Sequence, residues 1–173
     1  MNNHIILIGF KHVGKSTIGK SLSIELLLPF IDLDREIEAR HKEQHGAHIS
    51  CRELFRQIGS DAFRALEHEV LSDVLARQES SIVSLGGGTP ITMLNQELLK
   101  GRTILHITSQ KESVYERIML SGKPAFLSPD ENTYESFARV WNERMPIYQS
   151  LATHTIENNS SPSEIVQKIK QLL

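Results

Sequence analysis

Cysteine is almost missing from this chain: Cys51 is the only one in 173 residues. A lone thiol excludes an internal disulfide framework and any multi-cysteine zinc site. An excess of one charge is missing too, since 19 Lys and Arg face 21 Asp and Glu for a formal net charge of -2. That balance argues against a broadly basic nucleic-acid-binding surface, though not against a local basic cleft. No apolar run approaches the roughly 18 residues that a transmembrane helix needs. The first strand-like run begins by His4, which leaves no room for a signal peptide, so a soluble cytoplasmic protein is expected, with neither nucleic acid nor membrane as partner. Internal repeats, low-complexity tracts and linkers are absent as well. The length then suits one domain, and 39% hydrophobic with 23% charged residues is ordinary globular usage.

What is present alternates. His4-Ile5-Ile6-Leu7-Ile8 is a short apolar run closed by Gly9, as in a strand buried on both faces. Ile18, Leu22 and Leu26 then recur at helical spacing. Phe30-Ile31 is a second, weak strand that stops at Asp32. Residues 34–42 read as a polar helix and 45–50 as a loop. Phe63, Leu66, Val70 and Val74 form one helical stripe. Residues 81–85 and 103–107 are further strands, 111–120 a helix, and 121–131 a loop with Gly122, Pro124 and Pro129. Residues 133–148 are mostly helical despite a break expected at Pro146. A fifth strand near 153–156 precedes a last helix, whose start is marked by Ser161, Pro162 and Glu164. Its buried face is expected to carry Ile165, Ile169 and Leu172. Five strands alternating with helices predict an α/β fold, a parallel sheet with helices on both faces.

Gly9-Phe10-Lys11-His12-Val13-Gly14-Lys15-Ser16 fits the phosphate-binding pattern G-x-x-x-x-G-K-[ST], and Thr17 follows it. Glycines let the backbone curl so that successive N–H groups point at phosphate oxygens. Lys15 reaches the β- and γ-phosphates, the Ser16 hydroxyl suits Mg²⁺, and the following helix presents its positive end to the anion. A strand before and a helix after give the motif its required context. The plain alternative is a glycine turn that binds nothing. Lys11 and His12 either touch phosphate or face solvent.

Three more features bear on chemistry. Asp32-Leu33-Asp34 stands where the second strand ends, and strand ends of a parallel sheet face the ligand crevice. Two acids there would serve Mg²⁺ and a substrate hydroxyl, the plain alternative being that Asp34 only caps the next helix. Arg64 and Arg144 suit a small carboxylate, because a guanidinium grips one through two parallel hydrogen bonds. For Arg64 the alternative is a surface ion pair with Glu67 at i+3, and for Arg144 a solvated position beside Glu143. Gly86-Gly87-Gly88 lets backbone amides approach a ligand closely, or else makes a simple strand-to-helix turn. The guanine-reading and switch motifs of Ras-type GTPases do not occur.

In this combination the chain resembles the shikimate kinase family over nearly its whole length: the phosphate loop at 9–17, Asp32 and Asp34, Phe63-Arg64, the triple glycine, and Arg144-Met145-Pro146-Ile147-Tyr148. The resemblance implies a three-layer P-loop fold with a five-stranded parallel sheet and a mobile lid at about 118–131, the helical segment 33–62 holding substrate. It implies Mg²⁺-dependent transfer of the ATP γ-phosphate to the 3-hydroxyl of shikimate, on the route to chorismate and the aromatic amino acids, by a monomer. Gly9, Lys11, His12, Val13, Gly14, Lys15, Ser16, Thr17, Arg117 and Lys123 would bind nucleotide. Asp34, Arg64, Gly86, Gly87, Gly88 and Arg144 would bind substrate, Ser16 and Asp32 would serve the metal, and Lys15, Asp34 and Lys123 would act in catalysis.

Two departures stand out. The family lid usually carries Arg-Pro-Leu, where this chain has Gly122-Lys123-Pro124-Ala125-Phe126; lysine keeps the charge and loses the fork-shaped grip. The family's Gly-Glu before Phe-Arg is Gly59-Ser60-Asp61 here, leaving Asp61 one position off as an acid to orient Arg64. Trp141 is expected to pack, and Cys51 to be buried or half-buried. A gluconate kinase and a non-catalytic nucleotide-binding regulator are the competing readings.

Overall fold

The computed structural model describes residues 4–122, 127 and 130–173. The strands are β1 (Ile5–Ile8), β2 (Phe30–Asp32), β3 (Ile82–Ser84), β4 (Thr103–Thr108) and β5 (His154–Glu157). They form one five-stranded sheet in the order β2-β3-β1-β4-β5, with every pairing parallel. β1 lies at the centre and every one of its residues is buried. Leu7 sits between Ser84 and Leu105, which brings the chain leaving β1 alongside the chain leaving β3. All five strands discharge at the same edge, where a parallel sheet places its ligands.

The helices are α1 (Lys15–Leu26), α2 (Leu33–His45), α3 (Cys51–Ala76), α4 (Met93–Leu99), α5 (Lys111–Leu120), α6 (Thr133–Leu151) and α7 (Pro162–Lys170), with a 3-10 turn at Thr89–Ile91. α1 packs on β1, β2 and β3 and on α7, and α6 packs on β4. α3 begins with a capping box between Ser50 and Glu53. Inside it Gly59 takes φ 81°, a left-handed value that glycine adopts cheaply, so the helix kinks there. α7 starts at Ser161 with Pro162 in its first turn and the Ser161–Glu164 capping box, as the sequence predicts.

Four details differ from expectation. Leu172 lies beyond α7 and is 44% exposed, so Ile165, Val166 and Ile169 form the buried face instead. α6 runs unbroken through Pro146, although proline removes one backbone donor; Trp141 before it and Tyr148 after it are both buried, which fastens the helix on either side. α4 has no sequence signal because its exposed Met93 and Leu94 obscure any apolar stripe. It is tied down by Asn95, whose amide donates to the Thr89 carbonyl at 2.8 Å. α2 extends to His45, with Gly46 as its left-handed C-cap.

Candidate active site

The loop 9–14 between β1 and α1 is built by steric necessity. Gly9 has φ 138°, and a Cβ there would run into the Ile107 carbonyl of β4. Gly14 caps α1 at φ 97°. Val13 is fully buried, and its carbonyl accepts from the Asn158 side chain at 2.9 Å, which straps the loop to the end of β5. His12 takes φ 63°, and its carbonyl accepts from Arg117 Nη1 at 3.2 Å. Phe10 lies fully buried against Trp141, ring centroids 5.1 Å apart, so Trp141 does pack, directly under this loop. Lys11 and Thr17 are exposed, and both line the pocket.

Lys15 is buried. Its ammonium donates to the Gly9 and Phe10 carbonyls at 2.9 and 2.8 Å. Burial lowers its pKa to about 8, against the pull of Asp34 and Asp32. The Ser16 hydroxyl donates to Asp32 Oδ2 at 3.1 Å, and Asp32 Oδ1 accepts the Asp34 N–H at 3.2 Å. Asp32 is therefore the cap of α2, and Asp34 is not, which leaves the Asp34 carboxyl to the pocket. That carboxyl is reachable from the pocket yet walled by protein. Lost hydration, reinforced by Asp32, pushes its pKa up to about 6, against the opposing pull of Lys15.

Across the pocket stand the two arginines. Arg64 Nη1 donates to Glu67 Oε2 at 2.6 Å, and Glu67 Oε1 accepts from the Thr89 hydroxyl at 2.7 Å. The Arg64–Glu67 pair anticipated for a surface is real but faces inward, since Glu67 is only 2% exposed. The Arg64 guanidinium also lies 5.6 Å from the Phe63 ring centre. Asp61, the acid expected to orient Arg64, is exposed and outside the pocket lining; Glu67 does that work because it lies one turn along the same helix face. Arg144 turns away from Glu143, which pairs with Arg139. Its Nη1 donates to the Gly87 carbonyl at 3.3 Å, and its guanidinium stands 5.6 Å from the Phe10 ring centre. Tyr148 donates a short hydrogen bond to the same carbonyl.

The triple glycine is explained by what surrounds it. A Cβ at Gly86 would come within 2.8 Å of Asp34 Oδ1, and one at Gly88 would overlap the Arg64 guanidinium. Gly87 passes close to the phosphate-loop backbone, its notional Cβ 3.4 Å from the Gly9 carbonyl oxygen. The three residues are thus a seam between nucleotide side and acceptor side, not a free turn.

Of the residues singled out in the sequence, Lys11, His12, Gly14, Lys15, Ser16, Thr17, Asp32, Asp34, Arg64, Gly86, Gly87, Gly88, Arg117 and Arg144 line one pocket. Lys123 lies outside the described residues, as do Pro124, Ala125, Phe126, Ser128 and Pro129 of the stretch expected to be a lid. Sequence reasoning missed Glu67 as the orienting acid, Thr89 as its second partner, and Arg52, Phe55 and Asn158 in the wall. For Glu67 a signal existed in its spacing from Arg64; for the others the chain gives none. Six cationic side chains in the lining face three carboxylates, a balance suited to ligands carrying several negative charges. Among the described residues no cluster of three or more His, Cys, Asp or Glu is placed to hold a metal, and no helix is long and apolar enough to cross a membrane.

A phosphate loop at the end of β1, a carboxyl at the end of β2 and an arginine pair beyond it define a P-loop phosphotransferase for a small anionic acceptor. The sequence profile of the shikimate kinase family matches residues 11–173. A shikimate kinase of Thermus thermophilus is 34% identical over 170 residues, covering 98% of this chain and 89% of its own length. One from Flavobacterium johnsoniae is 34% identical, covering 98% of each. The structure of shikimate kinase from Acinetobacter baumannii in complex with shikimate superposes with a TM-score of 0.84 at 29% identity, covering 99% of this chain and 93% of that one. The chain belongs to the shikimate kinase family, and is an ATP-dependent kinase acting on shikimate.

Proposed function

We propose that the chain transfers the γ-phosphate of ATP to the 3-hydroxyl of shikimate, with each half of the pocket holding one substrate. The observation that carries this reading is the position of Asp34: its carboxyl lies against Gly86, on the seam between phosphate loop and arginine pair. The loop N–H groups of 9–17, Lys15, Lys11, His12 and Arg117 hold the nucleotide phosphates. Arg64 and Arg144 grip the substrate carboxylate, and the backbone of Gly86, Gly87 and Gly88 bounds its ring. Asp34 orients the attacking hydroxyl. In the transfer, the bond from the γ-phosphorus to the ADP oxygen breaks as the bond to the substrate oxygen forms, and Asp34 accepts the hydroxyl proton.

The Ser16 hydroxyl and Asp32 carboxylate, 3.1 Å apart, are hard oxygen donors that fit Mg²⁺. A divalent ion held there with the phosphates would neutralise their charge. Lys123 would add a cation from a lid at about 118–131 that excludes water. The helical segment 33–62 serves as the acceptor side of a single catalytic domain. We further infer a monomer working in the cytoplasm, where its ATP is found, with small molecules alone as partners.

The test is ADP formation from Mg-ATP with shikimate, gluconate or AMP supplied separately. The expected result is a response to shikimate only. A response to gluconate would overturn the acceptor assignment. Silence with all three, with ATP still bound, would favour a regulator. Asp34→Asn should keep ATP binding and lose turnover by a factor on the order of 100 or more; near-normal turnover would remove Asp34 from its role.

A further inference from the structure

We propose that Thr89 is a positioning residue of the acceptor site: its hydroxyl keeps Glu67 from closing on Arg64, and Asn95 holds Thr89 to that task. This rests on the shikimate kinase reading above.

Neither Thr89 nor Asn95 lines the pocket, so both act through Glu67. Both are completely buried. On a helix as short as α4, a buried amide costs free energy unless each of its ends finds a partner. Asn95 Nδ2 donates to the Thr89 carbonyl at 2.8 Å, and Asn95 Oδ1 lies 2.8 Å from His68 Nδ1. A carbonyl only accepts, so the amide nitrogen faces Thr89 and the amide oxygen faces His68, whose Nδ1 then carries the proton. Gln96, the next residue, donates to the Pro90 carbonyl at 3.1 Å. The Thr89 N–H goes to the Gly86 carbonyl at 3.1 Å.

These hydrogen bonds close a ring. The Thr89 hydroxyl donates to Glu67, Asn95 holds Thr89, His68 holds Asn95, and His68 follows Glu67 in α3. The ring joins α3, the 3-10 turn and α4, and fixes the backbone and the hydroxyl of Thr89 together.

The ring decides how Glu67 can hold Arg64. A carboxylate and a guanidinium readily pair through two parallel hydrogen bonds. The exposed Glu131 meets Arg139 through both oxygens, at 2.8 and 3.4 Å. Glu67 is held differently: Oε1 accepts from Thr89 at 2.7 Å, leaving Oε2 for Arg64 Nη1 at 2.6 Å. Arg64 Nη2 is the atom nearest a Cβ built on Gly88, at the seam of the pocket. The guanidinium thus keeps an edge for the substrate carboxylate. Without the Thr89 hydroxyl, Oε1 would lose its donor. The nearest replacement for a buried carboxylate oxygen is then the second nitrogen of the guanidinium beside it. Glu67 would compete with shikimate for Arg64.

The experiment compares shikimate with its methyl ester, which keeps the ring and hydroxyls and lacks the negative charge. Binding is measured by calorimetry, directly for the acid and by displacement for the ester, with ATP as reference ligand. The proteins are the full chain and its Thr89→Val, Thr89→Ser and Asn95→Leu variants. Valine keeps the shape of threonine without the hydroxyl, and leucine removes both Asn95 hydrogen bonds at similar volume. We expect Thr89→Val to weaken shikimate about tenfold and to leave the ester and ATP within about twofold, while Thr89→Ser binds all three like wild type. Asn95→Leu should shift shikimate in the same direction. Equal loss of acid and ester would mark a merely structural role, and no loss of either would remove Thr89 from the site. Thr89→Ser as weak as Thr89→Val would place the effect on the methyl group. Each of these overturns the proposal, and an unchanged Asn95→Leu overturns the part given to Asn95. Should Thr89→Val fail to fold, Thr89→Ala set against Thr89→Ser makes the same comparison. A wild-type chain that binds the acid no better than the ester would overturn the reading of the arginine pair as well. A wild-type chain that prefers the acid, beside a Thr89→Val variant that prefers it equally, would sink the Thr89 assignment alone.

Discussion

Glu67 Oε2 stands 2.6 Å from Arg64 Nη1, and the other oxygen of the same buried carboxylate accepts from Thr89 at 2.7 Å. One acid therefore fixes the direction of the guanidinium and ties α3 to the turn that follows the triple glycine. A buried carboxylate is tolerated only when its charge and lone pairs are met, and here both oxygens are engaged.

Glu67→Gln keeps the shape and removes the charge. Hydrogen bonds to charged groups contribute about 1.5–3 kcal/mol, so the shikimate KM should rise roughly 10- to 100-fold. The KM for ATP should stay near wild type, because Glu67 holds the acceptor side. Steady-state kinetics with each substrate varied in turn would check this; equal effects on both KM values would contradict it.

The two perturbed groups set a pH window. In the free enzyme Asp34 titrates near 6, raised by burial and by Asp32, and Lys15 near 8, lowered by burial. kcat/KM for shikimate should fall as pH drops through about 6, where the acceptor of the hydroxyl proton becomes protonated. kcat/KM for ATP should fall as pH rises through about 8, where Lys15 loses its charge. Bound phosphates restore that charge, so the alkaline limb of kcat should lie higher. Rate profiles from about pH 5 to 9.5 would show both limbs.

The same shift has a consequence for stability. Asp34 has a higher pKa folded than unfolded, so between about pH 4 and 6 the folded state binds more protons. Stability contributed by this group is then lost as pH rises through that range. Asp34→Asn should raise Tm at about pH 7.5 and lose that advantage near pH 4, with the size tempered by the carboxyl's access to the pocket. Thermal melts at the two pH values would read the difference; a Tm lowered at pH 7.5 would contradict it.

Gly88→Ala and Gly9→Ala should fail differently. The added methyl at Gly88 meets the end of an arginine side chain, which must shift against the buried Glu67 carboxylate, so affinity for shikimate falls and Tm falls with it through the weakened ion pair. At Gly9 it meets the Ile107 backbone carbonyl and the residue sits at φ 138°, so the sheet itself must yield. A destabilisation of about 1–3 kcal/mol from forced backbone conformation is expected for Gly9→Ala alone. Denaturant melts beside shikimate titrations would separate the two.

Much of this molecule is written locally in the chain. β1, β3 and β4 were legible because buried parallel strands are short apolar runs, while the edge strands β2 and β5, with one buried residue each, gave weaker signals. α7 was legible because Ser161, Pro162 and Glu164 form a complete start signal within four residues. The phosphate loop was legible because its geometry is dictated by glycines at fixed positions and by the groups that follow them. α4 was not, since Asn95 and Leu99 are its only buried residues and no stripe survives.

Other features arise only when distant segments meet. Asp32 rather than Asp34 caps α2, a matter of backbone direction at the end of β2 that residue identity leaves open. Arg64 had two acids within reach along the sequence, Asp61 and Glu67. The kink at Gly59 and the burial of the α3 face chose Glu67, and Thr89, brought in from after β3, fixed its second oxygen. Gly86 and Gly88 carry no hint in the sequence that their missing side chains make room for Asp34 and Arg64. Local propensity and phosphate chemistry are properties of neighbouring residues, so the sequence alone determined the strands, the loop and the class of reaction. Which charge faces which is settled by packing between segments tens of residues apart, and that the tertiary structure decided.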